Sequence, residues 1–265
     1  MTFRALNPEK IRGRLMTKSV GRNLLLLDKC TSTNDILTKR ARKGVQHGFT
    51  VVSEEQTRGR GRRGRSWLSP RGGIWMSILL RPPASFSSLE GLPLVGALAI
   101  ARGITSALNI EALVRWPNDV VVSGRKLAGV LVESRLKGLL PEFIILGMGV
   151  NANFHATILG EVARDSTSLL DAVGSAVDRE LLICEMLKET EWLYELLCSS
   201  REMDVLDSVR RSDWSRGKHV RVALGEGPVN GVFGDYADLA SVRINDEGGA
   251  SVRVETSTVL SVEYL

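Results

Sequence analysis

The sequence is poor in cysteine and histidine, and this shortage excludes several kinds of site. Its three cysteines, Cys30, Cys184 and Cys198, are odd in number and form no C-x-x-C pair, which argues against a disulfide framework and against a zinc site. The three histidines lie far apart, at positions 47, 155 and 219, so no histidine-based metal cluster is expected. A chain of 265 residues is long enough to be stabilised by a hydrophobic core alone.

The sequence also lacks a long uninterrupted hydrophobic run. No apolar stretch reaches the roughly 18 residues that a membrane span needs. The first 22 residues carry Arg4, Lys10 and Arg12 where a signal peptide would be apolar. Charged residues make up 25% of the chain and hydrophobic residues 43%, as in ordinary soluble proteins. We therefore expect a cytoplasmic protein without a membrane-spanning segment.

Acidic residues are missing from one segment. Residues 58–65 read RGRGRRGR, with five arginines, and outside this segment basic and acidic residues number 30 each. The net charge of +5 is therefore concentrated in one place, whereas a nucleic-acid-binding protein spreads it over a face. This distribution predicts a local anionic ligand such as a nucleotide phosphate.

The hydrophobic pattern predicts an α+β chain with a mixed sheet flanked by helices. From residue 217 onward, short alternating stretches separated by glycine-rich turns predict a small β-barrel. We expect a short N-terminal extension (1–22), a main domain (23–215) and a small C-terminal β-domain (216–265). Strands are predicted over residues 23–27, 49–53, 74–80, 113–116, 120–122, 126–134 and 143–150, and helices over 35–42, 92–108 and 179–197.

The Arg/Gly loop, residues 58–65, is the strongest chemical signal. Glycines let the backbone approach a ligand, and arginines supply forked donors to phosphate or carboxylate. A disordered RNA-binding tract has a similar composition, but this segment lies between two predicted strands and is soon followed by Trp67. We therefore favour a structured anion-binding loop, which by itself identifies no reaction.

Three further segments carry polar residues at element boundaries. Residues 31–34 (TSTN) precede a helix, residues 116–119 (WPND) lie between strands, and residues 126–133 (KLAGVLVE) open a strand with a lysine. Taken singly, each has an ordinary structural explanation: an N-cap box, a turn, and a strand with a surface lysine. Their significance comes from their occurrence together, in this order around the Arg/Gly loop.

With these segments the sequence resembles the biotin–protein ligase family. The matching motifs lie close together over roughly residues 22–154. The region from Gly217 matches only in its general pattern of short alternating stretches and glycine-rich turns. The matching motifs are S-T-N at 32–34, E-x-Q at 54–56, G-R-G-R-R-G-R-x-W at 59–67, W-P-N-D at 116–119, K-L-A-G-V-L at 126–131 and G-x-G-x-N at 147–151.

The resemblance implies a fold and an activity. The fold would be a mixed sheet related to class II aminoacyl-tRNA synthetases and lipoate ligases, with a small SH3-like C-terminal barrel. The activity would be that of an ATP-dependent biotin–[acetyl-CoA-carboxylase] ligase, which forms biotinyl-5′-AMP and transfers biotin to one lysine of a biotin carboxyl carrier protein. Mg²⁺ would accompany ATP.

The resemblance also implies roles for individual residues. Lys126, at the biotin carboxylate and α-phosphate, and Arg62, at the phosphate side of the adenylate, would be catalytic. No metal ligand is assigned, although Mg²⁺ would lie near Asp119. Biotin contacts are expected from Ser32, Thr33, Asn34, Gln56, Arg60, Lys126 and Gly129. ATP or adenylate contacts are expected from Arg62, Arg63, Arg65, Trp67, Asn118, Asp119, Lys126 and Asn151.

Three alternatives stay open at this point. A lipoate ligase shares the fold and chemistry but lacks this Arg/Gly loop, and a non-catalytic RNA-binding protein would use the arginines alone. A bifunctional ligase and repressor would carry an N-terminal helix-turn-helix domain of about 60 residues, whereas 22 residues precede the first predicted strand here. We expect no sequence-specific DNA binding, although a second basic cluster at 39–43 allows weak non-specific binding. The acceptor protein, the biotin affinity, and whether the chain is a monomer or a homodimer stay open.

Overall fold

The structure, a computed structural model, describes residues 4–83, 86, 89–138, 140–246 and 248–265. Two sheets and six α-helices are formed within these ranges. In chain order the elements are α1 (Pro8–Arg14), β1 (Leu24–Leu27), α2 (Thr33–Ala41), β2 (Thr50–Ser53), β3 (Ile74–Leu80), α3 (Leu92–Leu108), β4 (Leu113–Arg115), β5 (Asp119–Val122), β6 (Arg125–Lys137), β7 (Leu140–Val150), α4 (Leu169–Val173), α5 (Arg179–Cys198), α6 (Glu202–Arg211), β8 (His219–Leu224), β9 (Gly227–Tyr236), β10 (Ser241–Asn245), β11 (Ser251–Glu255) and β12 (Ser261–Tyr264).

The main sheet is mixed and has seven strands in the order β1-β2-β3-β7-β6-β5-β4. β1 and β2 run parallel, and the other neighbours are antiparallel. Helix α2 contacts one face at β2, β3 and β7, while α3 covers the other face and packs on α5. All seven residues of β3 are therefore buried, and this explains why the strand is a nearly continuous apolar run in the sequence.

Helix α3 bears on the expectation that no apolar stretch is long enough to span a membrane. Together with the preceding turn it forms a segment, Leu89–Leu108, that is long and apolar enough by composition to cross a membrane. However, 67% of its most apolar stretch is buried inside the protein, where the helix packs between the main sheet and α5. Core helices of this kind have the same composition as a membrane span, so the segment is weak evidence for one.

The segment expected to be an N-terminal extension (1–22) packs into the main core from residue 4 onward. Ile11 of α1 is fully buried, and Leu6 belongs to the same hydrophobic cluster as the sheet and α3. A buried ion pair between Glu54 and Arg179, 2.8 Å apart, anchors this segment. Glu54 accepts a hydrogen bond from the backbone N–H of Leu6 at 2.5 Å. The segment therefore folds with the main sheet.

The C-terminal unit is a five-stranded antiparallel sheet in the order β11-β10-β9-β8-β12. Its inward-facing apolar residues, such as Val220 and Phe233, are completely buried. The boundary expected near residues 215–217 falls in the connection between α6 and β8. The prediction of a mixed sheet with flanking helices followed by a small SH3-like β-unit is confirmed.

Candidate functional site

A cavity of about 1020 Å³ lies on the α2 side of the main sheet, a size suited to a small ligand. Strands β6 and β7 supply its floor through Gly129, Gly147 and Gly149. Its walls include the first turn of α2, part of the Arg/Gly loop and residues 259–264 of the C-terminal unit. The cavity therefore brings together segments from both sheets.

The first turn of α2 and Gln56 form one polar end of the cavity. The side-chain oxygen of Gln56 accepts the backbone N–H of Thr33 at 2.8 Å, and its nitrogen donates to the hydroxyl of Ser69 at 2.9 Å. Ser32 is the N-cap residue of α2, but its side chain makes no capping hydrogen bond. Its hydroxyl is therefore available to a ligand. Three of the expected biotin-binding residues thus meet at one place.

Asn34 and Arg60, also expected to contact biotin, are held by protein groups. The guanidinium of Arg60 forms two hydrogen bonds with Asp35, at 2.7 and 2.9 Å, and lies 3.2 Å from Glu133. The hydrogen bonds that Arg60 donates to Asp35, together with the nearby Glu133 charge, raise the pKa of Arg60 above its ordinary value against the opposing effect of burial. The side-chain nitrogen of Asn34 donates to Glu133 at 2.6 Å, and its oxygen lies 2.6 Å from the hydroxyl of Ser77.

The glycines of the floor make room for other side chains. A Cβ atom at Gly149 would lie 2.7 Å from the indole nitrogen of Trp67, and one at Gly129 would lie 3.3 Å from the same ring. Gly129 and Gly149 are direct partners in neighbouring strands. The Trp67 ring therefore packs on these two glycines, where any larger residue would displace it, and its expected contact with a bound adenylate stays a prediction.

A cluster of charges occupies the next part of the cavity. The ammonium of Lys126 lies 2.6 Å from one oxygen of Asp119, and Arg115 lies 3.1 Å from the other. Lys126 is also 5.2 Å from the centre of the Trp67 ring, within cation–π range. Two cations face one carboxylate, so the cluster keeps a positive charge that can attract an anion.

The structure does not support a resident metal ion near Asp119. Its two oxygens are paired with cations, and the described residues contain no group of three or more histidine, cysteine or acidic side chains that could hold a metal. Mg²⁺ prefers oxygen ligands that include substrate phosphates. An ion carried in by ATP is compatible with this site, whereas a separate protein cage is not.

Asn118 and Asn151 line the cavity, but their amide nitrogens serve the fold. Asn118 donates to the backbone carbonyl of Val130 at 2.7 Å, and Asn151 donates to that of Thr167 at 3.0 Å. Asn151 is buried. Each asparagine therefore fixes the wall of the cavity, and its expected contact with nucleotide stays a prediction.

Three arginines of the Arg/Gly loop donate hydrogen bonds to the C-terminal unit. Arg62 donates to the backbone carbonyls of Thr256 and Val259 at 3.1 and 3.2 Å, Arg63 donates to that of Ser257 at 2.8 Å, and Arg65 to that of residue 260 at 3.4 Å. Burial, together with the charge of Arg63, lowers the pKa of Arg62. Because its environment disfavours its charge, Arg62 would gain from an anionic ligand.

Three hydrogen bonds attach Trp116, the first residue of the W-P-N-D motif, to residues near or within the C-terminal unit. Its backbone N–H donates to the hydroxyl of Ser215 at 3.0 Å, its indole N–H to that of Thr256 at 3.1 Å, and its carbonyl accepts from Tyr264 at 2.7 Å. Its ring also packs near Phe233. Sequence reasoning missed these residues, because the C-terminal region resembles the family only in its pattern of short strands and glycine-rich turns and carries no matching motif.

Ser77 and Glu133 were also missed, although each had a signal. Ser77 is the single hydroxyl in the apolar run of β3 (IWMSILL), and Glu133 closes the segment KLAGVLVE. A lone polar residue in a strand that is otherwise apolar needs a partner once it is buried. That requirement could have directed attention to Ser77.

Comparison with known proteins agrees with this geometry. The model of the biotin/lipoate A/B protein ligase family matches residues 26–151. The chain is 35% identical to the bifunctional ligase/repressor BirA of Bacillus spizizenii over 69% of its residues, and it spans 57% of the length of that relative. It is 32% identical to the biotin–[acetyl-CoA-carboxylase] ligase of Mycobacterium tuberculosis, over 96% of this chain and 95% of the relative.

The fold leads to the same group of proteins. The biotin protein ligase of Aquifex aeolicus, solved in complex with biotin and ATP, superposes with a TM-score of 0.80 at 28% identity, over 92% of this chain and all of that one. Since the sequence match to the Mycobacterium enzyme extends over nearly the whole of both chains, the protein belongs to the biotin–protein ligase family.

Proposed function

We propose that this protein activates biotin with ATP as biotinyl-5′-AMP and transfers the biotin to a lysine of a biotin carboxyl carrier protein. The observation that carries the proposal is the arrangement of one cavity. It has a neutral polar end at Ser32, Thr33 and Gln56, a glycine floor, and a lysine cluster farther along. Biotin has a neutral ureido head and an anionic carboxylate at opposite ends, which matches this order.

The polar end fits the ureido head of biotin. A buried urea needs both donors and acceptors, and Ser32, Thr33 and Gln56 supply a hydroxyl, a second hydroxyl and a side-chain amide. In this proposal Asn34 and Arg60 support these groups from behind, since their side chains are paired with Glu133 and other protein groups. The backbone of Gly129 would lie beside the bound molecule.

Lys126 is placed to assist adenylate formation. In this step an oxygen of the biotin carboxylate attacks the α-phosphorus of ATP, the bond to the bridging oxygen breaks, and pyrophosphate leaves. Both reactants are anions, so the protein must reduce their repulsion and hold them in line. Lys126 would supply this charge between carboxylate and phosphate, while Arg115 continues to neutralise Asp119.

The second step requires protection of the adenylate until the acceptor arrives. The acceptor lysine attacks the carbonyl carbon as a neutral amine, AMP leaves, and the nitrogen loses a proton. Arg62, Arg63 and Arg65 would draw the Arg/Gly loop over the phosphate, with Trp67 alongside and Asn118 and Asn151 in the wall. Closed loops of this kind exclude water from a reactive intermediate. We place the reaction in the cytoplasm.

A pyrophosphate-exchange assay tests the proposal. Exchange of labelled pyrophosphate into ATP should require biotin, and addition of a biotin carboxyl carrier domain should yield one biotinylated lysine. A carrier whose acceptor lysine is replaced by arginine serves as the control. Exchange that does not depend on biotin would refute the function.

Ligand-dependent unfolding separates a biotin ligase from a lipoate ligase. A ligand that binds only the native state stabilises it by about 2.7 kcal/mol at a hundredfold excess over Kd. Biotin should therefore raise the unfolding temperature, whereas lipoate should leave it unchanged. Equal shifts with the two ligands would overturn the substrate assignment.

A further inference from the structure

We propose that Ser77 and Glu133 are positioning residues that make the Thr33 hydroxyl an acceptor, and not a donor, toward the ligand. The inference rests on the proposed function, since the ligand at this end is taken to be the ureido group of biotin. Its basis is a continuous line of hydrogen bonds from Glu133 through Asn34 and Ser77 to Thr33.

Glu133 determines which groups donate and which accept along this series of hydrogen bonds. An ionised carboxylate accepts hydrogen bonds and donates none, so the group of Asn34 that faces Glu133 at 2.6 Å must be its nitrogen. The oxygen of Asn34 consequently faces Ser77 at 2.6 Å. Gly147 makes this placement possible, because a Cβ atom there would lie 2.4 Å from the same oxygen.

Ser77 has a single proton for two short contacts. Its hydroxyl oxygen lies 2.6 Å from the oxygen of Asn34 and 2.7 Å from that of Thr33. The amide oxygen carries no proton, so the Ser77 proton must lie toward Asn34. The Thr33 hydroxyl then has two acceptors for its own proton, the Ser77 oxygen at 2.7 Å and the side-chain oxygen of Gln56 at 3.1 Å, and it donates to the closer one. Ser77 is completely buried, so water cannot replace either partner.

The cavity consequently presents a defined pair of groups. With its proton directed to Ser77, Thr33 offers lone pairs that can accept an N–H group from a ligand. Gln56 is oriented by its bonds to the Thr33 backbone and to Ser69, and its second amide proton has no partner among the described residues. One acceptor beside one donor complements an N–H next to a C=O, as in a urea. The dithiolane ring of lipoate offers neither.

Two variants, each with a matched control, test whether Ser77 and Glu133 orient the Thr33 hydroxyl. Ser77→Ala removes the hydroxyl that joins Asn34 to Thr33. Ser53→Ala removes an equally buried hydroxyl from the neighbouring strand, where it contacts the carbonyl of Glu55 and the thiol of Cys30. Glu133→Gln lets the amide of Asn34 turn round, since glutamine can donate to it. Asp35→Asn weakens the other carboxylate partner of Arg60 and leaves Asn34 untouched.

Calorimetric titration with biotin, without ATP, gives the first measurement. Ser77→Ala and Glu133→Gln should each weaken binding about three- to tenfold, the usual effect of one misdirected hydrogen bond, while Ser53→Ala and Asp35→Asn should change it less than twofold. The KM for ATP should be unchanged in all four. Two results would show that Ser77 and Glu133 act only on the fold. One is an equal loss of biotin affinity in a test variant and its control, and the other is a parallel rise of the biotin Kd and the KM for ATP.

A methylated ligand tests the direction of donation itself. Both biotins monomethylated at a ureido nitrogen are titrated, and in one of them the methyl group replaces the N–H group that would meet Thr33. This methyl group should cost less affinity in Ser77→Ala than in the wild type, because the contact is already impaired, and such coupling appears in a double-mutant cycle. Additive losses would overturn the relay, and failure of the wild type to bind biotin would overturn the proposed function instead.

Discussion

Replacing Thr256 by valine tests whether the C-terminal unit is part of the nucleotide site. The hydroxyl of Thr256 accepts the indole N–H of Trp116 at 3.1 Å in a buried position. Its backbone carbonyl accepts a bond from Arg62 at the same distance. Valine has almost the same shape but no hydroxyl, so the variant leaves the Trp116 donor without an acceptor while the contact to Arg62 can persist.

The expected loss of stability follows from this single unpaired group. A buried donor left without a partner costs about 1–3 kcal/mol. For a chain of this length each kcal/mol corresponds to roughly 2–4 °C, so a central loss of about 2 kcal/mol would lower the unfolding temperature by about 4–8 °C. Thr258→Val is the matched control: its exposed hydroxyl bonds to the carbonyl of Glu255, and surface changes of this kind stay within about 0.5 kcal/mol.

Enzyme kinetics then distinguish a local role from general packing. Trp116 begins the segment that carries Asn118 and Asp119, so its displacement should raise the KM for ATP several-fold in the pyrophosphate-exchange assay. Biotin affinity measured without ATP should be unchanged. A fall in stability with an unaltered KM for ATP would show that the C-terminal unit only packs against this motif, and our reasoning on its role would be refuted.

Three other substitutions and one binding measurement have defined outcomes. Lys126→Ala should slow adenylate formation about 10²–10³-fold, the usual cost of losing a preorganised charge, without unfolding the protein, since a second cation still neutralises Asp119; a wild-type exchange rate would rule out its role. Arg62→Gly should form biotinyl-adenylate but release it, because the loop loses two bonds to the C-terminal unit; unrelated proteins should then be biotinylated, and retention equal to wild type would contradict this. Burial disfavours the charge of Glu191, but backbone N–H groups of residues 18–20 bond to it and lower its pKa below the ordinary 4.5. Its contribution to stability is thus fully present above pH 4.5 and is lost as the pH falls through the lowered value. Glu191→Gln should therefore destabilise the protein at pH 7 by a margin that shrinks in acid, and a margin independent of pH in denaturant titrations would argue against this. Finally, binding to genomic DNA fragments near 150 mM salt should be weak and indifferent to sequence, since the charge outside the Arg/Gly loop is balanced, and a nanomolar selective complex in the presence of biotin and ATP would disprove it.

Local pattern determined most of the elements of the main sheet. The strand over 74–80 and the helix over 92–108 were predicted to the residue, because a continuous apolar run and a long apolar helix with small residues are specified by the segment itself. Helices α1 and α6 were not predicted. Their apolar sides are short, and they become recognisable as helices of the core only where α5 and β9 cover them.

The sequence by itself determined which chemistry is present: an arginine loop, a helix start rich in hydroxyls and amides, a lysine that opens a strand, and through these the family. Only the tertiary structure decided what each of these groups faces. Arg62 bonds to carbonyls 194 and 197 positions away, and Asn34 bonds to Glu133, 99 positions away. Every residue carries a backbone carbonyl, so no local pattern marks the ones that an arginine will find. The direction of each hydrogen bond in a buried series of side chains likewise depends on all the side chains in the series. The pairing of strands that are distant in the sequence brings those side chains together.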